Sequence, residues 1–330
     1  MINAENLRAY LHSCSLISAR EAVIVHELGG GVSNTVLMAE RASDPGVRWV
    51  AKQSLGKLRV KDEWLSDRAR IFREAEALQL LRPLLGNSAL PEIVYVDHEA
   101  FLFIMTAAPA DSRTWKEMLM EGSVSLAVAR QAGELLATLI QASSLNPQLE
   151  ERFRDQTVFE ELRIDPYYRT AAARHPDLAP ALDELIADSS AIRRSIVHGD
   201  FSPKNMLVSE GNIFLIDFEV VHWGDPAFDA GFLLSHLFLK AFHQPRFSAR
   251  YAEAANAFWL ALNAGQQREL DFEPRTLRHL GALLLARIDG KSPVEYIRDE
   301  DVKNEVRNAA RRLLVEQPQK LHQALGAVLA

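Results

Sequence analysis

Apolar and polar positions alternate at strand spacing in several short stretches before Met105. Ala22–Glu27 and Thr35–Ala39 read as strands on either side of Gly29-Gly30-Gly31, with Ser33 and Asn34 as further turn formers. Arg48–Gln53 is a third such run, entered through the turn signal Asp44-Pro45-Gly46. The period then changes. Ile71, Ala75, Leu78 and Leu81 recur at helical spacing, which predicts a helix over Arg70–Leu81 that stops before Pro83. Ile93–Val96 and Phe101–Thr106 return to strand character and complete one sheet, while Met1–Ser13 reads as a short amphipathic helix.

Beyond Thr106 the pattern is mostly helical, rich in alanine and leucine, after a hinge at Ala107-Ala108-Pro109-Ala110. Two short β-type runs interrupt it, Ser195–Val197 and Asn212–Asp217, expected to lie side by side with a polar loop between them. The outline is α+β: an N-terminal antiparallel sheet lobe over 1–106 and a mainly helical lobe over 107–330.

At 330 residues the chain is too long for one small core. Apolar residues make up 48% and charged residues 25%, as in ordinary globular proteins. Lysine and arginine number 37 against 44 acidic residues, a net charge of −7. That balance argues against nucleic-acid or anionic-membrane partners but permits a local basic pocket. Cys14, the only cysteine, excludes a disulfide framework and a structural zinc cluster, so a cytoplasmic location is the simplest expectation. The most apolar stretch, Phe228–Phe242, is too short to span a bilayer and carries Asp229, His236 and Lys240.

The chemistry concentrates in His198-Gly199-Asp200-Phe201-Ser202-Pro203-Lys204-Asn205 and in Phe214-Leu215-Ile216-Asp217-Phe218-Glu219. Transfer of a phosphoryl group to a hydroxyl needs a carboxylate to orient the hydroxyl, oxygen ligands for Mg²⁺ and a cation for the nucleotide. Asp200 and Asn205, on a loop leaving an apolar strand, can supply a carboxylate and an amide ligand; Asp217 can supply the metal-binding carboxylate. An isolated His-Gly-Asp is common in turns. The ordered and correctly spaced pair of motifs is not.

This spacing resembles the kinase catalytic loop followed by its metal-binding triplet. With glycine after the histidine, it is similar to the aminoglycoside phosphotransferase and choline kinase superfamily of small-molecule kinases. The resemblance implies a two-lobed protein-kinase-like fold, ATP and Mg as cofactors, Asp200 as catalytic base, and Asn205 and Asp217 as metal ligands. It makes His198 a scaffold of the loop, and Asp229, in Gly224-Asp225-Pro226-Ala227-Phe228-Asp229, a brace for it. Lys52, ending the strand Trp49-Val50-Ala51-Lys52, resembles the lysine that pairs with nucleotide phosphates; Glu74 is its expected partner, with Glu76 as the alternative. Gly30, Gly31, Ser33 and Asn34 then form a loop whose backbone and side-chain donors approach those phosphates. Gly199 replaces the arginine of protein kinases, and only Val220–Gly224 separates the two C-terminal motifs, so no activation segment exists.

The expected partner is a small-molecule acceptor. Its candidate contacts lie in two polar segments, at Arg163 and Asp165 and at Arg287 and Asp289. The expected acceptor is a sugar, amino sugar or aminoglycoside-like molecule; the mixed signs suit a hydroxyl-rich sugar, including one that bears an anionic group, better than a pure polycation. A choline- or ethanolamine-type amino alcohol, caged by Trp115, Trp223 and Trp259, is the alternative substrate. A catalytically silent nucleotide-binding module is the alternative of a different class.

Overall fold

The computed structural model describes residues 1–29, 34–56, 67–264 and 270–329. By internal contacts the chain forms two compact units, Met1–Ser112 with Phe214–Glu219, and Arg113–Ile213 with Val220–Ala330.

The first unit begins with α1 (Leu7–Ser13), followed by β1 (Val23–Glu27), β2 (Asn34–Arg41), β3 (Asp44–Ser54), α2 (Arg70–Leu85), β4 (Ile93–Asp97) and β5 (Leu102–Thr106). The strands form one antiparallel sheet in the order β1-β2-β3-β5-β4. Side chains alternate between its faces. Leu37, Ala39, Trp49, Ala51, Leu102 and Ile104 join Leu7 and Leu11 of α1 in one buried cluster. Their parity sends Lys52 to the opposite face, its Nζ 2.7 Å from Glu74 of α2.

Two boundaries differ from the sequence reading. The turn into β3 is at Ala42-Ser43, and Asp44-Pro45-Gly46 lies inside the strand, next to a register shift at Glu40/Arg41. Helix α2 runs through Pro83 to Leu85. Pro83 has no N–H to offer the Gln79 carbonyl, so the helix runs on for only two more residues. The stop is Gly86, at φ 100°, whose N–H bonds the Arg82 carbonyl at 3.0 Å.

The second unit continues with β6 (Arg113–Thr114), α3 (Trp115–Met120), α4 (Leu126–Ser144) and α5 (Pro147–Phe153). Then come α6 (Thr157–Phe159), a π-helical stretch over Glu160–Arg169, α7 (Thr170–Arg174) and α8 (Ala179–Ala191). Strands β7 (Ser195–Val197), β8 (Met206–Ser209), β9 (Asn212–Leu215) and β10 (His222–Gly224) precede α9 (Ala227–His243) and α10 (Ser248–Asn263). The remaining helices are α11 (Phe272–Asp289), α12 (Glu300–Val315) and α13 (Leu321–Leu329). The capping box of Thr114 and Glu117 starts α3, and Asn146 caps α5 with proline in its first turn.

The two β-type runs expected to lie side by side do not pair. β7 pairs with β10, whereas β9 follows β8 in a separate three-stranded sheet with β6. The His198–Asn205 loop is therefore framed by two small sheets, because the polar segment after it holds a strand of its own, Met206–Ser209.

Helices α4 and α10 pack closely, and Gly133 makes this possible. A Cβ there would meet the Phe258 carbonyl oxygen at 2.3 Å. Gly133→Ala should force the helices apart and cost about 1–3 kcal/mol or more, as overpacking does. Gly326→Ala on α13, with open space around the new methyl, should be neutral or stabilising by up to about 1 kcal/mol. Urea unfolding of both variants checks the contrast.

Candidate active site

In the first unit, Lys52 is buried and lies between two carboxylates. Its Nζ is 2.7 Å from Glu74 Oε2 and 2.6 Å from Asp217 Oδ1. Glu74 is thus the α2 carboxylate beside this lysine. Asp217 follows β9 with φ 72°, a left-handed conformation that aspartate tolerates better than most residues. Two residues on, Glu219 accepts from Asn34 Nδ2 at 3.0 Å and lies 3.6 Å from Arg70 Nε. Glu74, Asp217 and Glu219 thus lie close about Lys52 and Arg70. Burial would drive the Lys52 ammonium to lose its proton, but Asp217, Glu74 and Glu219 together hold it well above the ordinary lysine range. Glu74 is pushed up to about 7 by burial, with Asp217 and Glu219 adding repulsion against the pull of Lys52. An additional positive charge would relieve that crowding, so the donor set fits a hard divalent cation. Among the described residues no three His, Cys, Asp or Glu side chains form a metal cage. Mg²⁺ does not require one, since it keeps waters and phosphate oxygens beside one or two carboxylates.

In the second unit, the loop after β7 is held from three sides. Asp229, in the first turn of α9 and wholly buried, accepts the N–H of His198 at 2.6 Å and of Gly199 at 2.9 Å, one on each oxygen. Gly199 has φ 76°, and a Cβ there would meet the Val220 carbonyl at 2.7 Å, so only glycine fits. His198 Nδ1 accepts the N–H of Asp200 at 3.2 Å. Asn205 Nδ2 donates to the Asp200 carbonyl at 2.9 Å, which leaves its amide oxygen as the end for a cation.

Asp200 is buried and doubly paired, with Lys204 Nζ at 2.7 Å and Arg163 Nη2 at 3.0 Å from its Oδ2. Burial would raise its carboxyl, but those two cations hold it well below the usual carboxylate range. Asp229 is in the opposite situation. Burial pushes it up to about 7, against the two backbone N–H groups that favour its charged form.

The remaining expected contacts are dispersed. Gly30, Gly31 and Ser33 lie outside the described residues; Asn34 lies beside Glu219. Arg163 is committed to the loop, its Nε donating to the Gly199 carbonyl at 2.6 Å. Asp165 pairs with Lys291 at 2.9 Å on the surface. Arg287 donates to the Tyr167 hydroxyl at 3.3 Å. The Asp289 carboxylate receives Arg307 at 2.8 Å on both oxygens and His175 at 2.8 Å, which ties α11 to its neighbours. The tryptophans form no cage, since Trp115 and Trp223 are buried and Trp259 stacks on Phe272.

Three participants escaped the sequence reading. Lys204 stands four residues after Asp200 in the same motif, which was a readable signal. Arg70 sits at the start of α2 with no motif to mark it. Arg275 reaches Asp225 Oδ2 at 3.1 Å across a long sequence separation. Asp225 also caps Ala227 at 3.0 Å, and so steadies the turn that delivers Asp229.

The sequence matches the model of the phosphotransferase enzyme family over residues 24–268. The chain belongs to that family. Methylthioribose kinase 2 of Oryza sativa subsp. japonica is 26% identical over 277 residues, covering 74% of this chain and 64% of the rice protein. The chain thus spans just under two thirds of that relative's length. The fold is that of a choline/ethanolamine kinase family protein from Mesorhizobium loti, at TM-score 0.55 and 17% identity over 98% of each chain. It is equally that of the amicoumacin kinase hAmiN solved with AMP-PNP, Ca²⁺ and Ami, at TM-score 0.54 and 16% identity over 96% of each. The kinase-like α+β fold expected from the motifs is the one this family member has. No helix among the described residues is long and apolar enough to cross a membrane.

The Asp229 clamp generates a stability prediction. Asp229→Ala leaves two buried N–H groups without acceptors, at about 1–3 kcal/mol each, so denaturation midpoint and activity should fall together. The carboxyl also titrates with a defined sign. An acid whose folded value is raised holds a proton between pH ~4 and about 7 that the unfolded chain has released. Its contribution to stability is largest below that window and declines as pH rises through it, by up to ~1.4 kcal/mol per unit. The wild type should lose stability relative to Asp229→Asn over this range in parallel urea titrations.

Proposed function

We propose that the protein is an ATP- and Mg²⁺-dependent phosphotransferase that moves the γ-phosphate to a hydroxyl of a small, sugar-like molecule. The observation that carries this reading is the paired arrangement of Lys52 between Glu74 and Asp217 in one unit, and of Asp200 and Asn205 on a clamped loop in the other. Rice methylthioribose kinase, whose name specifies a sugar acceptor, supports the substrate class. The AMP-PNP and Ca²⁺ bound to the amicoumacin kinase support nucleotide and divalent metal.

Each side chain takes a role that its surroundings permit. Lys52, kept protonated by its acidic neighbours, anchors nucleotide phosphates, with Glu74 holding it in place. Asp217 and Asn205 supply the oxygen ligands for Mg²⁺. When bound, Mg·ATP supplies the phosphoryl group and offsets its developing charge. The acceptor hydroxyl oxygen bonds to the γ-phosphorus as the β–γ bridge bond breaks and ADP departs. Asp200 orients that hydroxyl and takes its proton. Because Arg163 and Lys204 hold Asp200 as a stable anion, its contribution is orientation first and basicity second. Asp165, exposed and paired with Lys291, is given no part.

Two variants test the division of labour. Asp217→Ala should abolish the metal-dependent part of the melting-temperature rise produced by ATP, because the triphosphate loses its bridge to the protein. Calorimetry showing no nucleotide binding by the wild type with Mg²⁺ or Mn²⁺ would sink the kinase reading.

Asp200→Asn keeps the side chain's size but removes its charge. Turnover of the best acceptor from a panel of sugars, amino sugars, aminoglycosides and amino alcohols should fall by about 10²–10⁴. ATP affinity should hardly move. Near-normal turnover would exclude Asp200 as the base, and lost ATP binding in a folded variant would assign it to the metal.

A further inference from the structure

Helix α9 carries Phe232, His236 and Lys240 four residues apart, hence on one face. The stripe begins just past Asp229 and leads away from the catalytic loop. Lys240 at its end has no accessible surface. Its one hydrogen bond goes to the His236 carbonyl at 3.3 Å, and its Nζ lies 5.5 Å from the centre of the Tyr296 ring. Among the described residues no carboxylate pairs with it. Burial, then the cations Lys116 and Arg287, brings its ammonium down to about 7, a value that a bound anion would raise again. Protein interiors seldom keep a cation under these conditions unless something else supplies the counter-charge.

The surroundings extend this imbalance toward Asp200. Arg287 of α11 uses Nη1 for Tyr167 and Ser292, while its Nε is buried with no partner among the described residues. The Tyr296 hydroxyl is likewise buried and has no partner among the described residues. The Tyr167 ring lies 5.6 Å from the Arg163 guanidinium and 5.8 Å from that of Arg287. Two acids that could balance these cations are used elsewhere, Asp165 by Lys291 and Asp289 by Arg307 and His175. Asp200 pairs with Arg163 and Lys204, and among the described residues no carboxylate is paired with Arg287 or Lys240. Two neighbouring groups register the resulting field. Burial alone would raise the Tyr167 hydroxyl, yet Arg287 and Arg163 bring it below its ordinary value. Burial, then Lys240 and Arg287, hold His236 well below the usual histidine range.

We infer that the acceptor is an anionic hydroxy compound, a sugar acid or a sugar phosphate, whose carboxylate or phosphate is received at Arg287 over the buried charge of Lys240. The inference rests on the phosphotransferase reading and narrows its substrate class. An acceptor of this kind supplies the missing negative charge and gives Arg287 Nε and the Tyr296 hydroxyl a partner. A polycationic aminoglycoside or a quaternary amine would meet repulsion at the same place.

The test uses acceptors that share a carbon skeleton and differ in charge: glucose, gluconate, glucose 6-phosphate and glucosamine, with ribose, ribonate and ribose 5-phosphate as a second set. ADP release with Mg·ATP is read beside the melting-temperature shift each compound produces without nucleotide. Anionic members should raise the melting temperature and exceed their neutral parents in kcat/KM by about 10- to 100-fold, the value of one or two charge-assisted hydrogen bonds. The carboxylate and phosphate arms identify which anion is received. Lys240→Met and Arg287→Met, alone and together, should erase most of the anion preference while leaving the ATP-induced melting shift unchanged. Lys240→Met removes an unpaired buried charge and should fold at least as well as the wild type. Preference for neutral or amino acceptors, absence of any melting shift with the anions, or an anion preference that survives in the double variant overturns the inference. Nucleotide binding measured in the same samples tells these outcomes apart from failure of the kinase reading itself.

Discussion

Everything in the second unit that bears on chemistry depends on one buried carboxylate accepting two consecutive backbone N–H groups. Asp229 fixes the peptide planes of His198 and Gly199, and the left-handed turn at Gly199 then sets the direction in which Asp200 leaves the loop. A buried carboxylate is costly unless its oxygens are satisfied. Here the cost is met by donors that the loop, leaving β7 without a ladder, would otherwise have to bury unpaired. The two needs offset each other in part, since burial still pushes the Asp229 carboxyl up to about 7. Asp229 is itself delivered by a turn tied through Asp225 to Ala227 and to Arg275 of α11, so the loop is anchored to the helical core rather than to other loops.

The same economy of charge is absent in the first unit, and that difference suits a different task. Lys52, Glu74, Asp217, Glu219 and Arg70 form one cluster of acids and bases, in which burial and its acidic neighbours raise the Glu74 carboxyl. Under the proposed function a divalent cation and the nucleotide phosphates would add their charges here.

How much of this could be read from the chain follows the range of the interactions. The sheet was legible because strand alternation and turn residues are local, and the motif around Asp200 was legible because its chemistry lies within eight residues. The Lys52–Glu74 pairing was legible through the family resemblance, the phase of α2 showing only that Glu74 and Glu76 cannot both reach the lysine. What was not legible depends on encounters between distant segments. Nothing local distinguishes the Arg163 side chain, which holds the loop, from one that solvates a helix end. Asp289 read as a pocket acid because Arg307, on the next helix, could not be seen to claim it. The strand pairing failed for a similar reason: β7 took its partner from beyond β9, and Met206–Ser209 had not been recognised as a strand.

In the proposed mechanism Asp200 is the group that receives the acceptor's proton. A carboxylate held far below its ordinary range by Arg163 and Lys204 is a weak base. In a loose phosphoryl-transfer transition state the hydroxyl proton leaves late, so a strong base gains little and a fixed acceptor at the correct angle gains much. The pairing that weakens the base is also what fixes it. Arg163 bonds the Gly199 carbonyl and the Asp200 carboxylate together, so rotation of the side chain would break a contact to the loop's own backbone. Under that proposal basicity is exchanged for geometry, through Arg163, Lys204, Asp229 and Gly199.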